Sequence, residues 1–327
     1  MSERGHLHAS IQSHNPTDCL KSITYHPAET HSREIPTAMQ LTTDDSCPPR
    51  PETHERFALP SGASAQRWLC DSPRAILVLQ HGFGEYAERY IWSHCQLIPK
   101  LNAARFEVWA LDLWGHGTSP GDRGMVNVQL AVEDHVQMRH QAAARGLPVF
   151  LFGHSLGGLV TAASALTDSS SGNDGIILSS PALPSTMTAP GEYAVRLLAH
   201  LVPGARIPLP KSPLEELCHD AEQVRLANED QTMYKGQISF LVAATALREA
   251  RRIWTSLGQW TKPTLVVHGT SDSWTQSRQS EHLVQGIVSA DKTLHLVEEG
   301  YHELLNDKNC EDTLQVILGW LESRVEV

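Results

Sequence analysis

No stretch of the 327-residue chain approaches the roughly 18 to 20 uninterrupted apolar residues that a membrane-spanning helix requires. The opening "MSERGHLHASIQSHNPTDCL" also lacks the apolar core of a signal peptide. Clusters of Lys and Arg are missing. With 26 basic against 37 acidic residues and a formal net charge of -11, nucleic acid is excluded as a partner, because phosphate binding needs a basic surface. The six cysteines (Cys19, Cys47, Cys70, Cys95, Cys218, Cys310) have no CxxC spacing, so neither a zinc site nor a disulfide framework is indicated and a reduced compartment fits. No set of histidines has metal-ligand spacing, and no metal or other cofactor is expected. What these absences leave is a soluble, cytoplasmic protein whose composition, 41% hydrophobic and 19% charged, is that of an ordinary globular chain.

Residues 1–55 are rich in Ser, Thr, Pro and His and lack hydrophobic periodicity, so a disordered N-terminal extension is expected. Its histidines (His6, His8, His14, His26, His31) are irregularly spaced and read as part of a solvated tail. From residue 56 onward the character changes. Short apolar runs at 75–80 ("AILVLQ"), 106–111 ("FEVWAL"), 148–153 ("PVFLFG"), 175–180 ("GIILSS"), 264–269 ("TLVVHG") and 293–298 ("TLHLVE") predict buried strands. Between and after them "RYIWSHCQLIPKL", "VNVQLAVEDHVQMRHQAAA", "LGGLVTAASALT" and "CEDTLQVILGWLES" carry helical spacing. Alternating strand and helix predicts an α/β fold, a mostly parallel sheet covered on both faces. About 80 residues separate "GIILSSPAL" from "TKPTLVVHG", far more than one crossover helix needs. At least two amphipathic helices are expected there, "GEYAVRLLAHLV" and "QISFLVAATALREARRIW", forming a helical cap over 183–258 between core segments 56–182 and 259–327.

The strand at 148–153 runs straight into Gly153, His154, Ser155, Leu156, Gly157 and then a helix. This is the setting in which G-x-S-x-G forms a strained nucleophile elbow and not a simple turn. A serine hydroxyl is barely nucleophilic at neutral pH and needs a histidine to take its proton and an acid to orient that histidine. On this topology the partners follow in the order Ser, acid, His on loops past later strands, and Asp272 in "TLVVHGTSD" and His302 in "TLHLVEEGYH" meet both requirements. Two N-H groups must hold the developing oxyanion. Leu156 follows the nucleophile, and Phe83, between Gly82 and Gly84 in "LVLQHGFGE", sits on a loop able to approach a substrate closely. His81, His116, His154 and His268 are read as hydrogen-bonded scaffold residues.

"HGFGEYAERY", "ALDLWGHGTSPGDRG", "FGHSLGG", "HGTSD" and "YHELLND", in this order, resemble the α/β-hydrolase superfamily and, within it, the monoacylglycerol lipase and lysophospholipase group. The resemblance covers about residues 57–327. It implies a serine hydrolase that cleaves a carboxylic ester of the monoacylglycerol or lysophospholipid type, with Ser155, Asp272 and His302 as the triad, Phe83 and Leu156 as oxyanion donors, and the insertion as a lid that guides an apolar acyl chain. Glu85 and Arg89 match positions near the polar head group in such enzymes, and a structural salt bridge between them is an equal alternative. The chain departs from the group at Trp114, where Arg often precedes GHG, and at Trp274, where a medium aliphatic residue is usual. Indoles at a pocket mouth would reshape it, so Trp274 is a candidate substrate contact. An acyltransferase, an esterase or lactonase acting on a specialised metabolite, and a non-catalytic ligand-binding relative are the alternatives. At most a transient contact with a lipid surface is expected, and the oligomeric state is left open.

Overall fold

The computed structural model describes residues 54–168, 172–185, 187–208 and 212–325. The histidine-bearing stretch 6–31 lies outside the described residues. Eight strands form one sheet: β1 (His54–Ala58), β2 (Ser64–Trp68), β3 (Ala75–Gln80), β4 (Phe106–Leu111), β5 (Val149–His154), β6 (Gly175–Ser179), β7 (Thr264–Gly269) and β8 (Lys292–Val297), in the order β1-β2-β4-β3-β5-β6-β7-β8. Strands β3 to β8 are mutually parallel, while β1 pairs antiparallel with β2 and β2 antiparallel with β4. The first two strands carry little apolar signal, and β1 starts at His54, inside the stretch expected to be disordered. A second correction concerns β8, which is an edge strand with Lys292, Thr293 and Leu296 exposed and not the buried strand expected from its composition. It has a sheet neighbour on one side only, and a charged residue at a free edge discourages pairing with other chains.

Strands β3 to β7 are buried throughout, which explains their continuous apolar sequences. Alternate residues serve opposite cores. Ile76 and Val78 of β3 pack with Leu159, Val160 and Ile253 on one face, while Leu77 and Leu79 pack with Ile98, Leu101, Ile317 and Leu321 on the other. Helices cover both faces: α1 (Arg89–Trp92), α2 (Leu97–Ala103), α3 (Val128–Ala143), α4 (Leu156–Thr167), α5 (Ala189–Leu201), α6 (Ala221–Glu229), α7 (Phe240–Thr255), α8 (Ser277–Gly286) and α9 (Cys310–Glu322).

The helix expected across "RYIWSHCQLIPKL" is broken, because His94, Cys95 and Gln96 all take left-handed φ values of 52°, 54° and 54°. A tertiary contact holds the break. Asn306, far along the chain, accepts at Oδ1 from the Ser93 hydroxyl at 2.8 Å and from the His94 N-H. The insertion holds three helices, α5, α6 and α7. Two of them differ sharply: α7 buries Val242, Ala246, Ala250 and Ile253 in the core, whereas α5 has no buried residue and exposes Tyr193, Leu197, Leu198 and Leu201.

The parallel register sets the site. Gln80 of β3 lies opposite Gly153 of β5, and Gly269 of β7 opposite Val297 of β8, so four loops leave the sheet at its C-terminal end. The chain reverses direction across the sheet between β4, β3 and β5, and crevices form at such a switch point.

Candidate active site

Ser155 sits between β5 and α4 with φ 52° and ψ -120°, a conformation that costs a non-glycine residue energy and that close packing must enforce. The enforcement is visible at the flanking glycines. A Cβ on Gly157 would lie 2.2 Å from the Gln80 carbonyl oxygen, and one on Gly153 would lie 2.5 Å from the Gly157 carbonyl oxygen. Only glycine lets strand, turn and helix approach this closely. The turn delivers the Ser155 hydroxyl to His302, where Oγ donates to Nε2 at 2.9 Å.

The other ring nitrogen of His302, Nδ1, donates to Asp272 Oδ2 at 2.8 Å. These two bonds define the tautomer, with the proton on Nδ1 and a lone pair facing the serine. Asp272 is surrounded by donors. Its Oδ1 accepts from the Trp274 and Thr275 N-H groups at 2.8 and 2.9 Å, and its Oδ2 also accepts from the Thr275 hydroxyl at 2.7 Å. His268 Nε2 lies 3.2 Å from the same oxygen, and its ring is held from behind by the Ser280 hydroxyl at 2.7 Å. Burial pushes the Asp272 carboxyl up, but the hydrogen bond from His268 and the charge and hydrogen bond of His302 outweigh it, so the carboxyl is held well below the ordinary range and stays ionised. Thr275 and His268 were not singled out as partners of Asp272 from sequence. Thr275, three residues after the acid in the same loop, is the part a local turn pattern could have suggested.

Leu156 is the first residue of α4, so its N-H has no intrahelical partner and points with the helix dipole toward the turn. Phe83 follows β3, outside the sheet ladder, on a loop pressed against the nucleophile: a Cβ on Gly82 would lie 3.1 Å from Ser155 Cβ. Gly84 has φ +89°, and a Cβ there would meet the Tyr234 carbonyl oxygen at 2.6 Å. The Phe83 ring is fixed edge-on against His116 and Tyr234, at 5.2 and 5.5 Å between centroids. His81 anchors the base of the loop, accepting from the Leu113 N-H at 3.0 Å through Nε2 and donating to the Gly82 carbonyl at 2.7 Å through Nδ1.

Glu85 and Arg89 are each only 3% exposed. Arg89 donates to Glu303 in a two-pronged pair at 2.8 and 3.0 Å and to Glu85 at 3.0 Å, and Tyr90 adds a hydroxyl bond to Glu85 at 2.9 Å. The structure places the pair in a buried ion-pair network, so the salt bridge expected between them is formed. Glu303 is the partner that sequence reading missed. Being adjacent to His302, it ties the histidine loop to α1 and hence to the Phe83 loop. His154 fills the space between, its ring 4.8 Å from that of His302, and burial lowers its pKa to about 4, so it is neutral.

The two indoles separate. Trp274 lies flat against His302, with centroids 5.8 Å apart and planes at 14°, and packs against the cluster of Tyr86, Leu217, Ala227 and Met233. Trp114 packs against scaffold loops. Its ring covers Gly62 and Gly121, and its indole N-H donates to Asp134, so it packs scaffold loops together.

Three comparisons relate the chain to known proteins. The family described as "Serine aminopeptidase, S33" matches residues 71–309. A monoacylglycerol lipase of Mycolicibacterium smegmatis is 30% identical over 264 residues, covering 79% of this chain and 92% of the relative. Caffeoylshikimate esterase of Arabidopsis thaliana is 27% identical over 267 residues, covering 77% of this chain and 79% of the relative. Among solved structures, a Paleococcus ferrophilus monoacylglycerol lipase superposes with a TM-score of 0.72 at 29% identity, covering 80% of this chain and 99% of the other. No helix among the described residues is long and apolar enough to cross a membrane. The mostly parallel eight-stranded sheet, the elbow at Ser155 and these matches lead to one conclusion: the chain belongs to the serine aminopeptidase S33 family of α/β-hydrolases, in its monoacylglycerol-lipase-like group.

Proposed function

We propose that this protein hydrolyses carboxylic esters of long-chain monoacylglycerols or lysophospholipids through an acyl-enzyme on Ser155. The observation that carries the reading is the unbroken hydrogen-bond chain from Ser155 Oγ through His302 to Asp272. In the first step His302 Nε2 takes the Ser155 proton as Oγ attacks the ester carbonyl, and buried, ionised Asp272 stabilises the imidazolium through Nδ1. The Phe83 and Leu156 N-H groups receive the oxyanion. His302 then returns the proton to the leaving alcohol, and a water activated by the same nitrogen cleaves the acyl-enzyme.

The cap 183–258 acts as a lid. The exposed apolar side chains of α5 support brief contact with a lipid surface, from which an acyl chain would pass toward Ser155. Four described cysteines are free thiols, which supports a cytoplasmic setting. Trp274, stacked on His302 and backed by Leu217 and Met233, forms one wall of the acyl or alcohol site. Both named relatives, a lipase of monoacylglycerols and an esterase of an aromatic acyl group, are compatible with such a wall. A panel of esters varying in acyl length and head group, run with Ser155→Ala, tests the proposal. Wild-type enzyme should favour long-chain monoacyl esters, and Ser155→Ala should abolish hydrolysis and fluorophosphonate labelling while leaving the circular dichroism spectrum unchanged. Retained turnover in Ser155→Ala would overturn the mechanism, and preference for cinnamoyl-type esters would replace the lipid substrate by an aromatic one.

A further inference from the structure

Cys95 and Cys310, 215 positions apart in sequence, come together beside Leu305 and Asn306. Their sulfurs and a Glu311 carboxylate oxygen all lie within 4.8 Å of one another, and both thiols are free. Cys95 is the middle residue of the left-handed turn His94–Gln96, and Cys310 is the first residue of α9. Lys100 Nζ lies 3.3 Å from Cys95 Sγ and forms an ion pair with Glu311. Both cysteines line a cavity of about 220 Å³ shared with Lys100, Gln223 and Asp307. A cavity of that size admits small solutes, since water takes about 30 Å³ in the liquid.

From this geometry we infer that Cys95 and Cys310 form a peroxide-reactive dithiol site that closes into an intramolecular disulfide. Cys310 is the first residue of α9, where free N-H groups favour a thiolate. The hydrogen bond between the two thiols lowers Cys310 and raises Cys95, and it outweighs the burial and the Glu311 charge that oppose a thiolate at Cys310. Its place at the helix start makes Cys310 the attacking sulfur and Cys95 the resolving one. The thiolate attacks one oxygen of hydrogen peroxide: an S-O bond forms, the O-O bond breaks, and the departing hydroxide takes up a proton to leave as water. The Cys95 sulfur then attacks the sulfenic acid at Cys310. An S-S bond forms, the S-O bond breaks, and hydroxide leaves with the Cys95 proton as a second water. Two thiols and one peroxide thus give one disulfide and two waters. With the sulfurs already within 4.8 Å, closing to the disulfide length of about 2.05 Å asks for a small local movement.

The other described cysteines lack these features. Cys218 is buried, and burial pushes its thiol up to about 12, while burial also raises Cys70, which has the Glu107 and Asp71 charges near it. Selectivity follows from that contrast, because the thiolate is the reactive species.

The experiment treats the full-length protein with hydrogen peroxide near stoichiometry, titrates thiols in denaturant, and maps a non-reduced digest by mass spectrometry. Two of the six thiols should disappear, a Cys95–Cys310 cross-linked peptide should form, and dithiothreitol should restore both. In Cys95→Ser the cross-link should be absent and Cys310 should be trapped by dimedone as sulfenic acid. In Cys310→Ser, Cys95 should stay reduced at the same dose, and Lys100→Met should slow wild-type oxidation several-fold. Cross-links to Cys19, Cys47, Cys70 or Cys218 in place of this pair, or over-oxidation of Cys310 without a disulfide, would overturn the inference.

Discussion

Replacing Arg89 with Met tests whether the Glu85–Arg89–Glu303 network holds the fold or the substrate. The substitution keeps an apolar stem of similar length and removes the guanidinium, leaving two carboxylates that are 3% and 2% exposed without their shared cation. Three charge-assisted hydrogen bonds vanish together. Removing one partner of a buried pair typically costs about 3–5 kcal/mol, because the remaining charge is stranded. For a chain of this size that corresponds to a fall in Tm on the order of 10 °C. Acid should narrow the deficit, and the sign follows from linkage. Burial pushes the Glu85 and Glu303 carboxyls up, but the interactions with His94 at Glu85 and the Arg89 charge at Glu303 hold both below their ordinary value. A depressed carboxyl contributes stability above its unfolded value of about 4.3 and loses it as pH falls through the folded value. Arg89→Met forfeits the part of that contribution that Arg89 supplies, and burial raises the carboxyls it strands, so its gap from wild type should be widest at pH ~7 and shrink as pH falls toward ~4.5 and below. Urea unfolding at several pH values reads both effects. Adding Glu303→Leu to Arg89→Met should recover about 2 kcal/mol, since one stranded charge is gone. Wild-type stability in Arg89→Met with a raised KM would refute the reasoning and return Arg89 to the head group.

Three further outcomes can be measured on the same enzyme. Asp272→Asn should lower kcat by roughly 10³- to 10⁴-fold with little change in KM, because an amide cannot accept from the His302, Thr275 and His268 donors together; a tenfold loss or less would remove Asp272 from the triad. Trp274→Leu takes away the plane stacked on His302 and should shift acyl-chain preference, so an unchanged preference across the ester panel would show that the indole does not line the site. Gly157→Ala forces a Cβ to 2.2 Å from a backbone oxygen and should cost about 3 kcal/mol or more together with most activity, read by urea melts and single-turnover labelling.

The candidate site was legible in sequence to an unequal degree. Ser155, Asp272 and His302 could be nominated because each lies in the turn or loop that follows a strand recognisable from its sequence, so a local pattern carried a long-range arrangement. Phe83 and Leu156 were reachable the same way, from the glycines and the helix start beside them. Glu303 was not, although it neighbours His302, because a single acidic residue has no periodicity and its partner Arg89 lies 214 positions away. Trp114 and Trp274 look alike as departures from a family pattern, yet one packs on glycine loops and the other on the candidate base.

By itself the sequence determined the central strands β3 to β7, the helices α3, α4 and α9 to within a residue or two, and the order of the candidate triad. All of these rest on hydrophobic period or on glycine-bracketed motifs, which are properties of neighbouring residues. Tertiary structure decided the antiparallel strands β1 and β2, the break at His94–Gln96, the burial of Arg89 between two glutamates, and the meeting of Cys95 with Cys310. Each of these depends on one side chain or strand finding a partner far along the chain. Such pairings leave no repeating trace in the sequence, and only close packing of the folded chain selects them.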